Sequence, residues 1–185
     1  MAVLLPKRSE LPWYWRPGFV VAHSALVIAI ATLFGLAGYS ARARDATIGY
    51  GHASPPPLIA WLIYAGFFAW GIAVGLLAAP WVWRRCWETW HLRREHERRY
   101  GGLSWRSMAA GFTREYWRSA SRAYGGTVQD YVVPILMFGG APLSALAIEY
   151  TLTGATGAGF MTAFFGVLVG GVDIPLLRLW RQLEE

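Results

Sequence analysis

Four long apolar runs, separated by polar segments, set the pattern of the chain. The runs cover residues 18–39, 58–83, 131–150 and 157–177. Each has about 20 residues or more, the length that an α-helix needs to cross the hydrocarbon core of a bilayer. The pattern predicts an all-α integral membrane protein with four transmembrane helices, forming a single membrane domain over residues 1–185.

The first run could instead belong to a signal peptide, because the small-residue sequence SARA follows it at residues 40–43. The apolar part of a signal peptide has only about 7–15 residues. The first run is longer than that, so we expect a retained helix.

The third run contains residues that interrupt helices. Pro134, Gly139, Gly140 and Pro142 all lie within it. Backbone groups freed inside a membrane need partners in neighbouring helices or in water. We therefore expect a broken third helix that packs against protein. Broken helices line substrate sites in transporters, which makes a small permease or transporter component one possible function.

The segment 84–130, between the second and third runs, is basic and aromatic. Residues 81–126 contain ten of the chain's Arg residues and six of its 11 Trp residues. The segment predicts a helical cytoplasmic arm that contacts other membrane-protein subunits and anionic phospholipids. The residues expected to make these contacts are Arg93, Arg94, Arg98, Arg99, Arg106, Arg114, Arg118, Arg122, Trp105 and Phe112.

The second half of the arm has a two-sided pattern at helical spacing. Trp105, Phe112 and Tyr116 fall on one side of a helical wheel, and the Arg residues from 106 to 122 fall broadly opposite. This arrangement favours a helix that lies in the membrane interface with its aromatic face towards lipid. The alternative is a helix of soluble type that packs on a partner domain.

The distribution of positive charge predicts the orientation. With four spans, fifteen of the 17 Lys and Arg residues fall on one side of the membrane, in the amino end, the arm and the carboxyl tail. Cytoplasmic segments carry the excess of Lys and Arg. We expect a bacterial inner-membrane protein with both termini in the cytoplasm.

Composition supports a membrane protein rather than a nucleic-acid-binding one. The chain is 55% hydrophobic and 15% charged, whereas soluble domains have about 25% charged residues. The net charge is +6, and Lys7 is the only Lys. Beside four spans, anionic lipid headgroups are the simpler partner for this charge, and no nucleic acid is expected.

Two runs carry glycines at small-xxx-small spacing. Gly71 and Gly75 lie in the second run, and Gly166 and Gly170 lie in the fourth. Small residues at this spacing let helix backbones approach closely. We expect these four glycines to pack against other helices.

Four ionisable residues lie in or near the apolar runs: His23, Asp130, Glu149 and Asp173. Asp130 and Glu149 lie at the ends of spans, where we expect them to be solvated. His23 and Asp173 lie roughly 7–10 Å inward from the same membrane face at 1.5 Å per residue. We hypothesise that they form a pair. The alternatives are an Asp173–Arg178 contact, Asp173 reaching the interface, or a bond from His23 to a backbone carbonyl.

The sequence contains no motif that names a reaction. There is no HExxH, no Gly-rich phosphate loop and no nucleophile elbow. His91 and His96 would lie about 140° apart on a helix, which suits a solvated face better than shared metal ligation. Cys86 is the single cysteine, so it has no internal disulfide partner. We expect no catalytic residues, no metal and no cofactor.

The function that these observations favour is a non-catalytic accessory or assembly subunit of a larger inner-membrane complex for secretion, transport or respiration. It would dock through its small-residue helix faces and its Arg- and Trp-rich arm. The permease is the main alternative. A redox or b-haem subunit is less favoured, because no second His lies at the depth of His23.

Overall fold

The computed structural model describes residues 7–48, 57–101, 105, 109, 113–125, 128–153 and 157–183. Two short 3-10 turns, Arg8–Glu10 and Trp13–Trp15, precede the first long helix. The longer elements are α1 (Pro17–Ile48), α2 (Pro57–Tyr100), α3 (Arg114–Tyr124), α4 (Val128–Thr153), α5 (Ala158–Leu168), a π-helical turn (Val169–Asp173) and α6 (Ile174–Gln182). The described part of the chain contains no β-strand.

Among the described residues, four helical segments are long and apolar enough to cross a membrane. They are Pro17–Arg44, Pro57–Tyr100, Pro134–Leu152 and Ala158–Gln182. The last of these consists of α5, the π-helical turn and α6. The prediction of an all-α chain with four candidate membrane-spanning helices is therefore confirmed.

Two helices differ from the sequence prediction. α1 continues to Ile48, past the end of the first apolar run at residue 39, so Arg42 and Arg44 are helical. α4 is continuous from Val128 to Thr153, so the predicted break in the third helix is wrong. A proline removes only one backbone donor, and a membrane helix tolerates this loss where neighbouring groups compensate.

The chain divides into two compact units. We call Pro80–Pro134 the arm unit, and Leu5–Ala79 together with Ile135–Glu185 the bundle unit. α2 contributes its first part to the bundle unit and its second part to the arm unit. The two units are described separately below.

In the bundle unit, the fourth span is the most enclosed. Half of its most apolar stretch is buried, compared with 22–28% for the other three spans. The other spans expose large apolar side chains, among them Leu33, Leu62 and Leu143. Extended apolar surface of this kind is unfavourable in water and suits contact with lipid.

The glycines of α2 and of the fourth span lie at a close backbone contact. A Cβ atom at Gly71 would collide with the backbone oxygen of Ala163, and one at Gly166 with that of Phe68. A Cβ atom at Gly75 would lie 2.7 Å from the backbone nitrogen of Gly171. A Cβ atom at Gly170 would likewise meet the backbone oxygen of Ile72.

These contacts change the role expected for the small-residue faces. The small-residue faces of α2 and of the fourth span cover each other within the chain, so they are not open for docking another subunit. The four glycines instead hold two of the chain's own helices together, because only a residue without Cβ permits this approach.

In the arm unit, α3 packs against the second part of α2. His96 of α2 and Tyr116, Ala120 and Ala123 of α3 are buried there. Tyr116 of α3 therefore packs on protein, because α2 continues past its apolar run and offers α3 an aromatic surface. That this helix lies in the membrane interface stays a prediction. Arg106 and Phe112 lie outside the described residues.

Candidate functional site

His23 and Asp173 lie within hydrogen-bond distance in the bundle unit. His23 Nδ1 is 2.9 Å from Asp173 Oδ1 and 3.0 Å from Oδ2. Because an ionised carboxylate only accepts hydrogen bonds, Nδ1–H of His23 is the donor. Asp173 is buried at 2% exposure, whereas the His23 side chain is 34% exposed. The pair therefore joins a buried acid to a partly accessible imidazole.

Ser24 completes this cluster, and the sequence analysis missed it. Its hydroxyl donates to Asp173 Oδ2 at 2.7 Å. Two consecutive residues of α1 thus bind one carboxylate of the fourth span. A hydroxyl beside a histidine in an apolar run was the available signal. Ser is common in membrane helices, however, so this signal was weak.

Asp173 is the last residue of the π-helical turn that joins α5 to α6. Such turns are rare and occur often at functional sites. Two glycines of this turn, Gly170 and Gly171, lie against α2. Hydropathy alone does not reveal the turn, because it changes the helix locally without changing the apolar character of the run.

The alternative partners proposed for Asp173 do not match the structure. Its carboxylate is engaged by His23 and Ser24, and Arg178 is exposed. The carboxylate fixes the imidazole through Nδ1, and Nε2 takes no part in this contact. Ser24 contacts the acid rather than Nε2, so the three residues do not have the arrangement of a nucleophilic triad.

Glu149 forms a second buried cluster in the bundle unit, contrary to the expectation that it is solvated. It is 1% exposed. Its Oε1 accepts a hydrogen bond from Arg42 Nη2 at 3.0 Å, and its Oε2 accepts one from the Gly159 amide at 2.8 Å. The expectation failed because α1 is longer than predicted and carries Arg42 to the carboxylate. The side chain of Asp130 lies outside the described residues.

His96 is also buried, although a solvated face was expected for it. Its side chain is 0% exposed, and Nδ1 is 3.0 Å from Ser119 Oγ. The rings of Tyr100, Tyr116 and Tyr124 surround it at centroid distances of 5.0–5.6 Å. His91, five residues earlier, is exposed, so the two imidazoles do not share an environment. Burial, reinforced by the Glu97 carboxylate, raises the pKa of Tyr124.

The predicted contact residues of the arm unit have different roles. Arg93 donates from Nε to the Ala123 backbone oxygen at 3.2 Å, and Arg94 lies 4.8 Å from the centroid of the Trp90 ring. Arg99 pairs with Glu95 at 2.5 Å. Both Arg93 and Arg99 are nevertheless exposed, as are Arg98, Arg114, Arg118, Arg122 and Trp105, with Trp105 at 86% exposure.

Among the described residues, no group of three or more His, Cys, Asp or Glu side chains could hold a metal ion. No protein-family model matches the chain, and no curated protein or solved structure is significantly similar to it.

Proposed function

We propose that this chain is a non-catalytic accessory subunit of a larger bacterial inner-membrane complex, with both termini in the cytoplasm. The observation that carries this proposal is that the arm unit has a core of its own. The buried residues His96, Tyr116, Ala120 and Ala123 allow it to present a defined surface. A charged loop without a core would offer no fixed arrangement of side chains.

The surface of the arm unit has the composition of a contact site. Residues 80–134 contain ten Arg residues and five acidic residues. Trp105 and Trp117 are exposed beside these charges. Arg and Trp are the residues that most often dominate binding energy at protein interfaces. With the glycine faces covered inside the bundle unit, the arm unit is the surface that we assign to docking.

The cytoplasmic location of the arm is part of the same proposal. It rests on the excess of Lys and Arg in the segments assigned to the inner side. Anionic phospholipids of the inner leaflet would attract the same basic surface. Association with lipid alone is therefore a distinct outcome of the experiment below.

Exposed arginines outside the arm core give a direct test. Arg98 and Arg114 have no hydrogen-bond or ion-pair partner in the described structure, so Arg98→Gln/Arg114→Gln should leave folding intact. We expect this variant to lose comigration with unlike subunits on blue-native gels after gentle detergent extraction. The control Arg178→Gln/Arg181→Gln removes the same charge from the bundle unit and should comigrate normally.

Two results would count against docking through the arm. One is unchanged comigration of the Arg98→Gln/Arg114→Gln variant. The other is a wild-type chain that migrates alone and binds only vesicles with anionic lipid. The second result would assign the arm to the lipid surface.

One observation supports a permease component as a second candidate. The third helix is continuous, so the original reason for this candidate is gone. A buried acid at a π-helical turn in the fourth span replaces it, since ionisable groups inside membrane proteins commonly mark ion or proton pathways. Substrate uptake by vesicles containing only the purified chain would favour this candidate over docking.

A further inference from the structure

A cleft of about 270 Å³ lies within the arm unit, between the second part of α2 and α3. Besides Leu92 and Tyr100, its lining consists of Glu95, Arg99, Glu115, Arg118, Ser119 and Arg122. Three guanidinium groups and two carboxylates thus border one cavity, with a formal balance of one positive charge. Arg99, Arg118 and Arg122 were predicted to lie on a general contact surface, and the structure brings them to a common cleft.

Arg118 and Arg122 are the cations of the cleft that can bind an anionic ligand most readily. Arg99 is already paired with Glu95. Arg118 and Arg122 have no acidic partner in the described structure, and residues 101–113 contain no Asp or Glu. The two are four residues apart on α3, so they are neighbours of like charge and repel each other. An anion between them would relieve this repulsion.

Ser119 supplies a third donor, and its side chain is held by His96 in the core of the arm unit. Its Oγ lies 3.0 Å from Nδ1 of the fully buried His96. When Nδ1–H of His96 donates to Oγ, the Ser119 hydroxyl hydrogen is free to donate into the cleft. Nε2 of His96 is buried without a hydrogen-bond partner among the described residues. In this tautomer, the buried His96 holds Ser119 without using the hydroxyl hydrogen of the serine.

We propose that this cleft binds a phosphodiester group that carries one negative charge. Arg118 and Arg122 would each donate to its oxygens, and the Ser119 hydroxyl would add a neutral donor. Donors from three side chains suit a tetrahedral phosphate better than a planar carboxylate. Glu95 and Glu115 oppose a second negative charge in the cleft, which disfavours a phosphate monoester or inorganic phosphate.

The phosphodiester could belong to a phospholipid headgroup or to a soluble molecule, and the experiment separates these sources. Full-length protein in an uncharged detergent is titrated into glycerophosphoglycerol, and the ³¹P line width is measured. The same protein is then placed in nanodiscs with and without phosphatidylglycerol, and lipid retained after purification is counted by native mass spectrometry. Inorganic phosphate is the comparison anion.

We expect the glycerophosphoglycerol line to broaden saturably and inorganic phosphate to bind more weakly. Arg118→Gln/Arg122→Gln should weaken binding by about tenfold or more, because both charge-assisted contacts are lost. Ser119→Ala should weaken it by only about threefold, since one neutral donor is lost. Arg84→Gln/Arg85→Gln is the matched control, as it removes two exposed arm charges outside the cleft.

Equal binding by Arg118→Gln/Arg122→Gln and the wild type would overturn the proposal, and so would equal losses in that variant and the control. Retention of phosphatidylglycerol without binding of glycerophosphoglycerol would identify a lipid as the source. The inference does not depend on docking to subunits. A variant that loses phosphodiester binding but still comigrates with partner subunits would separate this inference from the docking proposal. A variant that binds the phosphodiester but no longer comigrates would separate them as well.

Discussion

Two buried carboxylates in the bundle unit differ in the groups that stabilise them. Glu149 faces the guanidinium of Arg42 and a backbone amide. Asp173 faces an imidazole and a hydroxyl. A guanidinium is always charged, whereas an imidazole can be charged or neutral. The Glu149 cluster therefore contains a permanent cation, whereas the Asp173 cluster does not depend on one.

Removing Glu149 should destabilise the protein strongly. Glu149→Ala leaves the buried charge of Arg42 without its carboxylate, which costs about 3–5 kcal/mol. The measurement is unfolding by denaturant in mixed micelles. Glu88→Ala removes an exposed acid that pairs with Arg84 and Arg85, so it should cost about 1 kcal/mol or less. Similar losses in both variants would show that Glu149 is not held in a buried ion pair.

The Ser24–Asp173 contact predicts a coupling between two substitutions. Ser24→Ala should cost about 1 kcal/mol, and Asp173→Ala about 1.5–3 kcal/mol, because its hydrogen bonds are to a charged group. The double variant should cost little more than Asp173→Ala, since the shared bond is already lost. Strictly additive losses in the same unfolding assay would argue that Ser24 does not bind Asp173.

At the scale of elements, backbone approach decides how α2 and α5 pack. The contact is a row of glycines, and the atoms opposite belong to the backbone, which cannot turn aside as a side chain can. The same region carries the π-helical turn that ends at Asp173. Close packing and the position of the acid are therefore properties of one stretch of the fourth span.

Two glycines of α2 offer a matched test of this contact. Gly71→Ala should destabilise the protein by about 1–3 kcal/mol, because its Cβ collides with the Ala163 carbonyl. Gly66 has open space around it, so Gly66→Ala should be neutral or stabilising by up to about 1 kcal/mol through helix propensity. Thermal unfolding of both variants provides the measurement. A neutral Gly71→Ala would mean that α2 and α5 are not in backbone contact.

At the scale of the whole molecule, charge and hydropathy are segregated along the chain. Apolar surface covers the spans of the bundle unit. Most of the chain's ionisable residues lie outside these spans. The arm unit combines a small core with a basic exterior. This division suits a protein that is anchored by one unit and recognised through the other.

The proposed orientation makes a prediction about access. Protease added to intact spheroplasts should not cut residues 84–124, because the arm would face the cytoplasm. Cleavage should occur there after the membrane is disrupted, and a carboxyl-terminal tag would report the fragments. Cleavage of the arm in intact spheroplasts would place it on the outer side and remove the basis for cytoplasmic docking.

The four candidate spans and the basic arm could be predicted from sequence because length, hydropathy and charge are local properties. The similar depths of His23 and Asp173 followed from counting residues to the nearest Arg. The ends and the continuity of the helices were harder to predict. α1 continues through Arg42, and α4 passes Pro134 and Pro142 without a break. Local composition does not report how neighbouring helices compensate for polar or proline residues.

Only the tertiary structure decided which faces meet. Ser24 and Asp173 are 149 residues apart in sequence, and Arg42 and Glu149 are 107 apart. The cleft between α2 and α3 likewise depends on His96 turning inward to hold Ser119. A periodic pattern shows that a helix has an apolar face, but the partner of that face depends on packing among all the helices. For this physical reason, the sequence determined what the helices are, and the fold determined what their polar side chains can bind.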